Sequence, residues 1–122
     1  MKLCATLLLV AACGGGVAGV ATGATCPMTN PPTYASFGQA FFQKYCLDCH
    51  SSSSTNRHGA PRDQNYDTEA EIAAHAVEID AVAASGPDGT NTGMPKLSAN
   101  VSAQPTLAER TTLGEFLACE TL

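Results

Sequence analysis

The sequence predicts an all-α domain. Three segments carry helical periodicity, and each opens on a residue able to cap a helix. No segment alternates apolar and polar residues as a half-buried strand does. The remainder is a short apolar leader and two long irregular stretches, 51–65 and 85–105.

The first helix is expected over about 34–46, YASFGQAFFQKYC. Thr33 or Ser36 can cap it, and Ser36 with Gln39 has capping-box spacing. Phe37, Phe41 and Tyr45 share a face, with Gly38 and Phe42 beside them. The second helix, about 69–84, starts from a capping box of Thr68 and Glu71 and has an apolar stripe of Ile72, Ile79 and Val82 flanked by Ala76 and Ala83. Ser85-Gly86-Pro87 ends it. The third, about 106–119, follows Pro105, pairs Thr106 with Glu109 in another capping box, and buries Leu113, Phe116 and Leu117. Irregular stretches as long as the two between these helices are uncommon in a compact domain, and when present they are often functional or wrap something that is not protein.

The chain of 122 residues suffices for one domain. Its opening, MKLCATLLLVAAC, has the parts of an export signal: Lys2 is the positive region, and Leu7 to Ala12 is an apolar core too short to span a bilayer. Val10-Ala11-Ala12-Cys13 resembles the lipobox of bacterial lipoproteins, which implies lipidation of Cys13 as the mature N-terminus; an ordinary signal cut near Gly23 or Ala24 is the alternative. Either way the protein is exported. The expected organisation is a signal peptide over 1–12, a flexible Gly/Ala-rich tether over 13–25 and a folded domain over 26–122. Without Lys2, five basic residues stand against eleven acidic ones, a net charge of −6. This balance argues against nucleic acid and against charge-driven binding to anionic lipid.

The strongest chemical signal is YCLDCH, residues 45–50. Cys46, Cys49 and His50 could ligate zinc, form a thiol–disulfide redox pair, or anchor a c-type haem. Zinc needs a fourth ligand, for which His58 or His75 could be asked, and there is no second C-x-x-C. A redox pair ordinarily opens a helix after a strand, whereas this pair follows a helix. C-x-x-C-H is the haem-attachment signature: two thiols add to the two vinyl groups along one porphyrin edge, and the adjacent histidine is held beneath the iron.

Together with Gly38, Phe42 and Cys46 at steps of four, and Leu113 and Phe116 three apart on the last helix, the motif resembles the small monohaem c-type cytochromes of the class I fold. The resemblance covers roughly residues 33–119. It implies a class I cytochrome c fold, with three main helices and long loops wrapped around one covalent haem c, and a glycine crossing that lets the first and last helices approach. It implies thioethers at Cys46 and Cys49, His50 as one axial iron ligand and Met94, in TGMPKLS, as the other. It suggests the carbonyl of Pro61 as acceptor for the other N–H of His50. With a haem on Cys46 and Cys49, Cys26 and Cys119 are left over and form an even pair in an oxidising compartment, expected as a disulfide. Arg57, Arg62 and Tyr66 are candidates for a haem propionate.

The implied function is one-electron transfer through a single haem at the bacterial cell envelope. The protein would face the periplasm on a lipid anchor at Cys13, act with redox partner proteins and not as an enzyme, and leave open a place as a subunit of a larger respiratory complex. A haem-based sensor or gas-binding protein, or a small haem peroxidase, are the alternatives; both need an open iron position.

Overall fold

The computed structural model describes residues 19–97 and 103–122. The signal segment, Cys13 and the first part of the tether lie outside the described residues. The first helix begins with a π-helical turn, Tyr34–Gly38, and continues as α1, Gln39–Tyr45. Its cap is Thr33, whose hydroxyl accepts from the Ser36 amide while the Ser36 hydroxyl accepts from the Thr33 amide. A single helical turn, α2, Leu47–His50, follows at once.

The segment expected as one helix over 69–84 is two: α3, Glu69–Ala74, and α4, Ala76–Ala83. His75 breaks it with φ −114° and ψ 15°, and its ring donates from Nε2 to the Asp63 carbonyl at 3.1 Å. The capping boxes at Thr68/Glu71 and Thr106/Glu109 are both formed. The second opens α5, Leu107–Glu120.

Ser85-Gly86-Pro87 does more than stop a helix. Ser85–Gly86 (β1) and Gly89–Thr90 (β2) pair antiparallel, Ser85 opposite Thr90 and Gly86 opposite Gly89, around a two-residue turn at Pro87 and Asp88. The expected all-α, three-helix class I cytochrome c architecture is therefore corrected. The described residues form a small mixed domain of five α-helices, one π-helical turn and a two-stranded sheet. Among them no helix is long and apolar enough to cross a membrane.

The core joins Phe41, Phe42 and Tyr45 of α1 to Ile72, Ala76, Ile79 and Ala83 of the paired helices and to Leu113, Phe116 and Leu117 of α5. The tightest point is Gly38, where a Cβ would lie 2.7 Å from Cζ of Phe116. A glycine within a helix costs about 1 kcal/mol relative to alanine. Here that is offset by complete burial of Phe116 beside it, a contribution of about 1.5–3 kcal/mol.

Residues 19–25, assigned to the tether by composition, are bound to the domain instead. Thr22 is fully buried, and both its amide and its hydroxyl donate to the Asp80 carboxylate at 2.8 and 2.6 Å. Its carbonyl accepts from the Asp88 amide, and Val20 exchanges hydrogen bonds with the Asn91 side chain. Cys26 and Cys119 form a disulfide with Cα atoms 4.6 Å apart, closing the chain nearly end to end.

Two stability measurements check this packing. Gly38→Ala should lower the unfolding free energy by about 1–3 kcal/mol, because the Phe116 ring must shift in a filled core; an unchanged denaturation midpoint would count against the close crossing. Cys26→Ser combined with Cys119→Ser should cost about 2–5 kcal/mol in chemical denaturation, since the bridge closes a loop of 93 residues.

Candidate functional site

Cys46 ends α1 outside helical geometry, at φ −120° and ψ −40°, and its carbonyl accepts from the amides of Cys49 and His50. This turn sets Cys46, Cys49 and His50 on the lining of one cavity of about 520 Å³. The volume lies within the range of small-molecule and cofactor sites. Met94, forty-four residues later, lines the same cavity, as do Phe41, Ile79 and Val82. Met94 is partly buried against the core, and its amide donates to the Val82 carbonyl at 2.9 Å.

His50 is buried and fixed from several directions. Its ring stacks on Tyr66 with centroids 4.5 Å apart and planes at 17°, and its carbonyl accepts from the Tyr66 amide. Nδ1 lies 2.9 Å from the Gln64 carbonyl. A carbonyl only accepts, so Nδ1 carries the proton and Nε2 keeps its lone pair. Burial pushes the ring pKa down, and the Gln64 hydrogen bond opposes that only in part. The result is a neutral imidazole in the tautomer that ligates through Nε2.

The acceptor expected for this ring was the Pro61 carbonyl, and the structure corrects it to Gln64. Pro61 borders the cavity, but its carbonyl already accepts from Arg57 Nη2 at 2.6 Å and from the Gln64 amide at 3.1 Å. Arg57, a candidate for a propionate, instead gathers the loop. Its guanidinium also donates to the carbonyls of Ser51, Ala60 and Gln64 and to the Asn65 side chain. No local pattern marks Gln64 or Arg57 for these roles, because each depends on how the loop folds back.

The serine run after His50 also has partners. The Ser51 hydroxyl and the Ser52 amide donate to the two oxygens of Asp67, at 2.6 and 2.8 Å. These bonds, that from Ser51 first, hold the Asp67 carboxyl below the usual carboxylate range. The Ser54 hydroxyl donates to the Asp48 carbonyl.

The two thiols are free. Burial pushes Cys46 up to about 12, with the neighbouring Cys49 adding to the rise. Cys49 is also raised, by burial and then by Asp48. A thiol–disulfide catalyst needs a depressed pKa, so this environment is wrong for the redox reading. Among the described residues no group of three or more His, Cys, Asp and Glu side chains could hold a metal ion, so neither His58 nor His75 completes a zinc set. An axially ligated haem makes a different demand: one imidazole, one thioether, two unpaired thiols and an apolar wall. The residues on this cavity fit that demand.

No protein-family model matches the chain, and neither a curated protein nor a solved structure matches it. The chemistry of the thiols is directly measurable. Thiolate is the reacting species, so a raised pKa moves alkylation to higher pH. With both thiols free, iodoacetamide at pH 8 should modify Cys49 well before Cys46, whose rate should still climb toward pH 12. Equal rates at pH 8, read from the modified peptides by mass spectrometry, would contradict the raised pKa of the half-buried Cys46.

Proposed function

We propose that this chain is a monohaem c-type electron carrier of the cell envelope. The observation that carries the reading is the gathering of Cys46, Cys49, His50 and Met94 on one cavity. Cys46 and Cys49 would hold the haem as thioethers, with His50 Nε2 and Met94 Sδ as iron ligands. Bound there, the haem supplies one-electron chemistry at its iron. The chain's own residues set the conditions. Gln64 and Tyr66 orient the His50 ring, and a neutral imidazole is ready to ligate. Phe41, Ile79 and Val82 keep the lining apolar and limit water. An apolar surrounding disfavours added charge, and a methionine ligand favours reduced iron, so both raise the potential.

Export and a lipid anchor at Cys13 belong to the same proposal, and redox proteins are its partners. The Cys26–Cys119 disulfide supports an oxidising compartment.

The test is an optical and redox titration of the haem-loaded protein and of Met94→Ala. The wild type should show a methionine–iron charge-transfer band and bind no added carbon monoxide in its reduced form. Met94→Ala should lose the band, fall in potential and gain carbon monoxide binding. A wild type without the band, or with peroxide turnover before any treatment, would overturn the electron-carrier reading in favour of an open-site haem protein.

A further inference from the structure

Arg110 is the one arginine of α5, and it points inward: only 4 % of its surface is exposed. The acceptors it reaches are all uncharged. Nη1 donates to the carbonyls of Ala83, Asn91 and Met94, at 2.7, 3.0 and 2.9 Å. Nη2 donates to Oε1 of Gln104 at 3.1 Å. Among the described residues the ion pair formed is Lys44 with Glu109, and Arg110 has no share in it. Burying a guanidinium is costly unless its donors are satisfied, and an apolar side chain would serve core packing as well. The fork does what an apolar side chain cannot. It ties the end of α4, the residue after β2 and Met94 to a single point on α5. Gln104 extends the hold, because its Nε2 donates to the Pro95 carbonyl at 3.0 Å. The backbone carbonyls of Asn91, Met94 and Pro95 are thus held by one guanidinium–amide pair.

We propose that Arg110, with Gln104, is the positioning device for Met94: it sets the segment 91–95 so that the thioether is presented to the cavity. This rests on the reading of Met94 as an iron ligand. Arg110 also places a buried positive charge against the backbone of Met94. With a haem bound, a fixed cation there would disfavour oxidised iron, so its removal would act on the potential in the same direction as loss of the thioether.

The experiment compares the haem-loaded full chain with R110Q, R110K and Q104A. The readouts are covalent haem content, the methionine–iron charge-transfer band and the midpoint potential. R110Q should keep its covalent haem, lose the band and drop in potential. R110K keeps the charge but not the planar fork, so its band should be weakened and its potential should fall less than that of R110Q. Q104A should keep the band at low temperature and lose it on heating before the wild type does. A wild-type band and potential in R110Q would overturn the positioning role while leaving Met94 as the ligand. A wild type that itself lacks the band would overturn both, and so separates the two failures. Should R110Q not fold, Q104A decides: ligand loss on heating at the wild-type temperature overturns the proposal.

Discussion

With no side chain at Gly38, the ring of Phe116 lies directly against the backbone of the first helix, and the remaining architecture depends on that approach. It sets α5 close enough for Phe116 to meet the rings of Phe37 and Phe42, at 6.1 and 6.5 Å between centroids. On α5 itself, Gly114 opens a second close contact. A Cβ there would meet the Ser85 carbonyl oxygen at 2.6 Å and the Ala24 side chain at 3.0 Å. So α5 is flanked by the first helix, by the hairpin and by the N-terminal strip, and its position is settled before any loop is considered. Two consequences reach the cavity. The first helix delivers Cys46 to the cavity edge, and α5 delivers Arg110 to the loop that carries Met94.

The two irregular stretches cannot be ordered by apolar packing, because they contain few large apolar side chains. Hydrogen bonds to backbone carbonyls order their described parts. Arg57 does this for the loop after His50, and Arg110 for the loop around Met94. Each such bond contributes modestly on balance, but a buried polar group without a partner is costly. Among the described residues no buried side-chain nitrogen or oxygen lacks a partner. Both arginines therefore act on chain path, and the electrostatic cost of placing them inward is met by carbonyl dipoles.

Much of this was legible locally. The capping boxes at Thr68 and Thr106 depend on residues three apart, and they appear as read. Ile72, Leu113, Phe116 and Leu117 announced their burial by periodicity, and Cys26 and Cys119 their pairing once the motif cysteines were set aside. What escaped the sequence depends on distant partners. Thr22 looks like linker because its neighbours are small and uncharged, yet it is anchored by Asp80, 58 residues away. Val20 meets Asn91 across 71 residues. The break at His75 comes with a tertiary hydrogen bond from its ring to the Asp63 carbonyl. The hairpin at Ser85–Thr90 is too short for alternation to be visible. Pro61 was the natural candidate beside His50 by type, but the path of the loop places the Gln64 carbonyl, not that of Pro61, 2.9 Å from Nδ1.

The same reasoning gives the serine run a place in the site. His50 ends a helix of four residues, too short to hold a ring rigidly by its own hydrogen bonds. The rigidity has to come from the chain that leaves it. That chain turns back immediately: Ser51 and Ser52 bind Asp67, and the Tyr66 amide binds the His50 carbonyl. Asp67 directly follows Tyr66, so one closure brings the Tyr66 ring onto the imidazole and seats the carboxylate on the serines. Gln64, two residues earlier, then falls within reach of Nδ1. Small hydroxyl residues suit this turn because they donate without filling space beside the cavity. An ionised Asp67 accepts both donors, and the depressed titration of its carboxyl keeps it ionised well into the acid range. The orientation of His50 is thus set by residues 51–67 acting together, and the loop is a structural part of the site it surrounds.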